Sequence, residues 1–334
     1  MREPIDFVVT WVDGSDPAWL ADRAKYEAPS DADNSSERFR PMDTLRYWFR
    51  GVEAYCPWVR TVHFVTWGHV PTWLNLDAPK LHVVRHEDFI PHEYLPTFNS
   101  NAIELNLFRI PGLARHFVYF NDDMFILRPL EARDFFQDGL PVDMLAFQPV
   151  IANPQNPVMS HLYLNNSLLL ARHFKKREIA RNNPGALFHV GYPPLYFFYN
   201  ALELLYPQMT GFYTSHQPAT LLCETYETLW DRERDVLHAT SCNRFRDVGD
   251  VSIYAFQEWQ KLSGHFVPRN VTRRFAYYAI EGDLDSLIAC VRGRRKAILC
   301  VNDGPCEDFE QRCASLSQAL DEVLPAPSSF EVLP

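Results

Sequence analysis

Three apolar runs in this 334-residue sequence end in the same way. FVVTW (7–11) runs into Val12-Asp13-Gly14-Ser15-Asp16, FVYF (117–120) into Asn121-Asp122-Asp123, and ILCV (298–301) into Asn302-Asp303-Gly304. Each puts a carboxylate just past a strand-like run, and in open α/β sheets ligands bind outside the carboxyl ends of the strands. Asp13, Asp16, Asp122, Asp123 and Asp303 are therefore candidates for one shared cleft. Asp-Gly and Asn-Asp are also ordinary turn residues, and VDGSDP and VNDG taken singly read first as turns. The pair Asp122-Asp123 reads less easily that way. A turn needs no second carboxylate, and Met124-Phe125-Ile126-Leu127 returns at once to apolar sequence. Adjacent like charges are costly unless a cation or solvent offsets them. Carboxylates holding Mg²⁺ against a substrate phosphate would supply that offset.

A second group comes from the middle of the chain. His216, in SHQP, sits in a loop before a helix and reads either as a structural histidine or as a base. Arg244 and Arg246, in CNRFRDVGD, read either as solvated charges or as two-pronged holders of phosphate. Asp for a metal, His for a proton and Arg for a phosphate make a coherent set for phosphoryl transfer. The sequence has no G-x-G-x-x-G, no Walker loop, no H-E-x-x-H and no G-x-S-x-G. That leaves metal-assisted transfer from a nucleotide-linked donor as a natural use of acids at strand ends.

Such residues need a scaffold that brings strand ends together. Ile5 to Trp11, Thr61 to Thr66, Leu81 to Val84, Phe117 to Phe120 and Met144 to Phe147 read as strands. Between them, Pro17 to Tyr26 reads as a helix with proline in its first turn. Asp43 is placed to cap a helix running to Tyr55, with Leu45, Trp48, Phe49 and Val52 at helical spacing. Residues 28–36 read as a polar loop and 101–109 as helix. Strands alternating with helices predict an α/β fold: a mostly parallel, doubly wound sheet with helices on both faces. Residues 166–265 read as helices with no clear strand, and the α/β pattern returns with a strand at 296–301 and a helix at 307–323. The expected organisation is an α/β core at 1–150, a helical insertion at 151–270, a return to the core at 271–325 whose last strand rejoins the sheet, and a flexible tail at 326–334.

The totals set limits. A net charge of −10 argues against a general nucleic-acid binder. Seven cysteines without a C-x-x-C pair suit neither a zinc module nor a secreted disulfide framework. MREPIDFVVTW lacks the long apolar region of a signal peptide. No apolar run approaches the roughly 20 residues of a membrane span. The expected setting is the cytoplasm, or a soluble domain of something larger.

The motifs also match a known pattern. IDFVVTWVDGSDPAW resembles the first conserved region of the Stealth family, which includes bacterial capsular-polysaccharide phosphotransferases and the α/β subunit precursor of animal lysosomal-enzyme N-acetylglucosamine-1-phosphotransferase. MDTLRYWFRGVEAYCPWVRTVHFVTWGHVPTWLN and LPTFNSNAIELNLFRIPGLARHFVYFNDDMF resemble its second region. SHQPATLL through CNRFRDVGDVSIYAF resembles the third, and AILCVNDG the fourth.

The resemblance implies a Rossmann-like fold of the glycosyltransferase-A kind. It implies transfer of a sugar 1-phosphate from a nucleoside diphosphate sugar, UDP-N-acetylglucosamine foremost, to a glycan hydroxyl. It implies Mg²⁺, or Mn²⁺, as cofactor, release of UMP, and work at the inner face of the cell membrane near capsule machinery. Carried over by motif, Asp122, Asp123 and Asp303 are expected at the metal, with Asp123 also catalytic. His216 is the expected acid/base and Arg246, with Arg244 beside it, the expected active-site arginine. Asp13, Gly14, Asp16, Arg46, Asn99, Ser100 and Glu104 are expected around the donor. A metal-dependent glycosyltransferase releasing UDP is the alternative that the same acids would suit.

Overall fold

The computed structural model describes residues 3–26, 39–154 and 156–332, so the loop read at 28–36 lies outside it. The main sheet has five strands in the order β3-β2-β1-β4-β8: β1 (Ile5–Trp11), β2 (Val62–Thr66), β3 (Leu81–Arg85), β4 (His116–Asn121) and β8 (Ala219–Leu222). The first four are mutually parallel, and β8 runs antiparallel to β4. The mostly parallel α/β sheet expected from the alternation is what forms. Its strands are apolar almost throughout because both faces are covered. Val8, Val65, Phe117 and Tyr119 face one core, while Phe7, Val9, Phe64, Val118 and Phe120 face the other.

Register places the acids. Thr10 of β1 lies opposite Asn121 of β4, so both strands end level, and their acidic turns emerge at one edge. The chain then leaves the main sheet. After Asp122-Asp123 it enters β5 (Met124–Ile126), which pairs antiparallel with β11 (Ile298–Asn302), and β11 pairs in parallel with β10 (Phe275–Ala279). The doubly acidic turn is thus the seam between two sheets. The expectation that the last strand rejoins the main sheet is corrected: β11 is the centre of this second sheet, reached through β5.

The helices of the first half are α1 (Pro17–Arg23), α2 (Leu45–Tyr55), α3 (His86–Phe89) and α4 (Ser100–Glu104). In α2 the residues at helical spacing are buried, but Asp43 does not cap it. Thr44 holds the cap position, and Asp43 lies one residue outside in the left-handed region that Asp tolerates. From 157 to 262 run α5 (Pro157–Ala171), α6 (Lys176–Asn182), α7 (Pro184–Leu187), α8 (Pro194–Glu203), α9 (Cys223–Arg232), α10 (Arg234–Cys242) and α11 (Tyr254–Leu262). This stretch also supplies β8, which the sequence reading missed because four buried residues, three of them apolar, are too few to show a period. A third small sheet joins β6 (Phe136–Gln137), β7 (Leu140–Asp143) and β9 (Val267–Pro268). The strand read at 144–147 makes only an isolated antiparallel bridge, Phe147 opposite Phe212, and side chains serve backbone N–H groups there. Tyr192 Oη accepts from Leu145 N at 3.1 Å, and Asn200 Oδ1 from Phe147 N at 2.7 Å. Helices α12 (Leu284–Arg292) and α13 (Phe309–Val323) pack on the second sheet.

The tail reading of 326–334 is also corrected as far as residue 332. Phe330 is buried against Phe49 with ring centroids 5.1 Å apart. Glu331 accepts from Arg50 Nε and Nη2, each at 2.9 Å, and Arg50 Nη1 donates to Leu324 O at 2.9 Å. One Phe and one Glu in a Pro- and Ser-rich stretch give no periodic signal, so only the fold reveals the clamp. Arg50 and Ser328 hold the Glu331 carboxyl below the usual 4.5, against the effect of burial. A carboxyl depressed in the folded state stabilises above its unfolded pKa and loses that contribution as pH falls through the folded one. Glu331→Gln is therefore expected to lower stability at pH 7 by about 3 kcal/mol, because it leaves buried Arg50 without its fork. The loss should shrink toward acid in thermal melts across pH.

Candidate active site

The level ends of β1 and β4, the end of β11, α4 and the start of α5 enclose a cleft of about 1540 Å³. Asp13, Asp16, Ser100, Glu104, Asp122, Asp123, His216, Arg246 and Asp303 all line it. The three acidic strand ends do meet.

Asp123 is the most heavily engaged. Its Oδ2 accepts from Cys300 Sγ at 3.2 Å and lies 3.5 Å from His216 Nε2. Its Oδ1 is buried with no partner. Beside it, Asp122 is pushed up to about 7, by burial first and by the charge of Asp123 second. An orphaned carboxylate oxygen next to a carboxyl that resists ionising is an electrostatic deficit, and a hard divalent cation fits it. Asp123, His216 and Cys300 also offer ligand atoms within 4.8 Å of one another. The Cys300 thiol is held well above its usual range, by burial first and then by Asp123, so it serves Asp123 as a neutral donor. Val301 N donates to Asp123 O at 2.9 Å, tying the turn to β11.

His216 is fixed at both nitrogens. Nδ1 pairs with Tyr254 Oη at 3.0 Å, and Nε2 with Asn121 Nδ2 at 3.1 Å. With Tyr254 accepting from Nδ1–H, Nε2 accepts from Asn121 Nδ2 on the side that Asp123 also approaches. Burial opposes the charged ring, but Asp123, and then Glu104, outweigh it and hold its pKa above 6.5. Arg246 Nη2 donates to Ser100 Oγ at 2.6 Å. Glu104 accepts from Tyr119 Oη at 3.2 Å; burial raises its carboxyl, with Arg246 the strongest opposing influence.

The remaining residues divide. Asp303 does not approach as a bare carboxylate: Arg40 grips it with Nε at 3.1 Å and Nη2 at 2.8 Å, its guanidinium over the Phe309 ring. Asp13 Oδ1 accepts from Ser15 N and Oγ, and Asp16 caps α1 by accepting from Trp19 N at 2.8 Å. Gly14 gives close approach: a Cβ there would lie 2.1 Å from Phe39 O. Four expected residues, Gly14, Arg46, Arg244 and Asn99, are not among those lining the cleft. Arg46 lies over Trp73, and Arg244 over Tyr26. Asn99 is fully buried, where it caps α4 and donates to Asp250 Oδ2 at 2.8 Å. Asp250, also fully buried, accepts in addition from Asn101 at 3.1 Å, Asn243 at 2.8 Å and Asp247 N at 3.1 Å. This hub ties the loop carrying Arg246 to the helix carrying Ser100, so Asn99 acts by positioning.

Sequence reasoning missed Arg40, Asn121, Tyr254 and Cys300. Asn121 and Cys300 each sit within three residues of an acid, but the partners they meet, His216 and Asp123, lie 95 and 177 residues away. Arg40 and Tyr254 meet their partners, Asp303 and His216, across 263 and 38 residues, which no local pattern records.

Two family models match the chain: Stealth protein CR1, conserved region 1, at residues 3–30, and Stealth protein CR2, conserved region 2, at 38–142. The capsular polysaccharide phosphotransferase WcwK of Streptococcus pneumoniae is 37% identical over 333 residues, covering 98% of each chain. The receptor polysaccharide phosphotransferase WefC of Streptococcus oralis is 38% identical, over 98% of this chain and 99% of its own. The exopolysaccharide phosphotransferase cps2G of Lactiplantibacillus plantarum is 36% identical, over 98% and 96%. Among solved structures, the galactosyltransferase LgtC in complex with donor and acceptor sugar analogs aligns over 98% of this chain and 97% of its own, with a TM-score of 0.41 and 12% identity. A likeness that low bears on neither fold nor chemistry.

Proposed function

Because the chain belongs to the Stealth family, we propose that it moves a sugar 1-phosphate, N-acetylglucosamine 1-phosphate in the first instance, from a UDP-sugar to a glycan hydroxyl and releases UMP. The observation that carries this reading is the meeting of Asp122-Asp123, His216 and Arg246 in one cleft at the strand ends.

The acceptor oxygen attacks the sugar-proximal phosphorus, and the bond from that phosphorus to the oxygen bridging it to UMP breaks. The hydroxyl proton passes to Nε2 of His216 as the acceptor hydroxyl replaces Asn121 Nδ2 there, and Tyr254 holds the accepting tautomer through Nδ1. Asp123 supports the cation that results, 3.5 Å away. Arg246, steadied by Ser100, steadies oxygens of the transferring phosphoryl group. Arg40, fixed by Asp303, puts a second guanidinium on the cleft wall. The anomeric C–O bond stays intact, so the configuration at C1 is retained in the phosphodiester product. Asp123, through its unpartnered Oδ1, and Asp122 would hold Mg²⁺ or Mn²⁺, with Asp303 at the neighbouring strand end. Bound there, the cation supplies charge neutralisation to the diphosphate.

The test is product identity. Purified protein with Mg²⁺, a panel of nucleotide sugars and capsule-type oligosaccharides should yield UMP and a phosphodiester signal in phosphorus NMR. Release of UDP with no phosphodiester would replace this reading with glycosyl transfer.

A further inference from the structure

Helix α8 is built inside out. Its polar side chains face the core: Asn200 is fully buried and bonds Phe147 N, Leu145 O and Leu187 O, and Glu203 is buried with Lys176 and Thr210. Tyr196 and Phe197 also pack inward, but three of its apolar side chains face outward. Leu195, Phe198 and Leu202 are 53%, 62% and 40% exposed, at the spacing of one helical stripe. Further exposed apolar residues flank the helix in sequence, Val190 at 93%, Leu205 at 72% and Tyr206 at 54%. Isolated surface apolar residues need no explanation, but a contiguous stripe marks an interaction surface.

The charge pattern says what covers it. Between Arg181 and Glu224 the sole Asp, Glu, Lys or Arg is Glu203, which is buried. The charges begin again at the rim, where three basic residues outnumber one acid, exposed Glu178, which pairs with Lys175 Nζ at 3.3 Å. Helix α6 beside α8 presents exposed Arg177 and Arg181, with exposed Lys175 at its cap. Arg177 donates to Leu204 O and Leu205 O, which locks the basic rim to the apolar stripe. A basic rim on a chain of net charge −10 is a local reversal of sign. An apolar, aromatic helix face bordered by Lys and Arg is the pattern of a helix lying in the interface of an anionic bilayer. Among the described residues no helix is long and apolar enough to cross a membrane, so the contact is with one leaflet. The face lies close to the chemistry: Tyr196 of α8 packs on Tyr213, ring centroids 4.6 Å apart, and Tyr213 lines the cleft.

We infer that the α8 stripe of Leu195, Phe198 and Leu202, with the rim of Lys175, Arg177 and Arg181, docks the protein on an anionic membrane leaflet with the cleft mouth beside the surface. This inference does not rest on the proposed reaction, since its readout is binding.

The test uses the full chain and sedimentation with vesicles of equimolar phosphatidylglycerol and phosphatidylcholine, against phosphatidylcholine alone. Binding should occur on the anionic vesicles, weaken with salt, and fall about tenfold in Phe198→Ser/Leu202→Asn and in Lys175→Gln/Arg181→Gln. These variants should keep the native circular dichroism spectrum and melting temperature, since they alter exposed positions. Phe198→Trp should be quenched by brominated lipid, which reports insertion directly. Equal binding to both vesicles, no binding, or variants that bind like the native chain would overturn the inference. So would a native dimer in sedimentation velocity that Phe198→Ser/Leu202→Asn converts to monomer, because a second copy would then be the occupant.

Discussion

Asp123→Asn is expected to lower turnover by roughly a thousandfold at saturating Mg²⁺, about 4 kcal/mol of transition-state stabilisation, while the fold survives. The isosteric amide keeps an acceptor for Cys300 but loses three electrostatic functions at once. It no longer supports a charged His216, it no longer offers an anionic Oδ1 to a cation, and it no longer opposes ionisation of Asp122. The last effect is a gain in stability. With its like-charged neighbour removed, Asp122 should fall below about 7, yet stay above the ordinary carboxylate range because burial is the larger cause. The metal-free variant should therefore melt no lower than the native chain. The rise in melting temperature that Mg²⁺ gives the native protein should be small or absent in the variant, since only binding to the folded state stabilises. Turnover within threefold of native would remove Asp123 from the mechanism. A lower melting temperature without metal would mean that the charge of Asp123 beside His216 is structural support first.

How much of this was legible before the fold was known follows from the range of each signal. Strand ends were legible because β1, β4 and β11 are apolar runs closed by acids, so a shared cleft at the strand ends could be expected from the sequence. The seam was not. The Asp122-Asp123 turn looks like a hairpin in sequence, but β4 and β5 belong to different sheets, and only pairing of β5 with β11, over 170 residues away, separates them. Of Arg246 and Arg244, the cleft contains Arg246 for a physical reason. Asp250 anchors the loop through Asn99, Asn101 and Asn243, while Arg244 turns out toward Tyr26. The same hub explains why Asn99 looked functional: a buried amide serving a buried carboxylate has the residue types of a binding site without facing a ligand.

His216→Ala is expected to cost about 10³-fold in kcat, within the range of a positioned general base. The ring is the sole imidazole in the Asp123 cluster, and its Nε2 is the atom that both Asn121 and Asp123 approach. Tyr254→Phe should cost far less, about tenfold, because it removes the partner that fixes the tautomer and leaves the base in place. That ratio separates a proton acceptor from a histidine that only packs, since a packing role would make the two variants similar. A second comparison is sharper. Groups in direct contact that act in one step lose their function together, so their effects do not add. Asp123→Asn combined with His216→Ala should turn over little more slowly than the worse single variant. Independent roles would multiply the two losses toward roughly 10⁶, about 8 kcal/mol. Finding that product would mean that Asp123 serves the donor and His216 the acceptor through separate contacts, despite lying 3.5 Å apart.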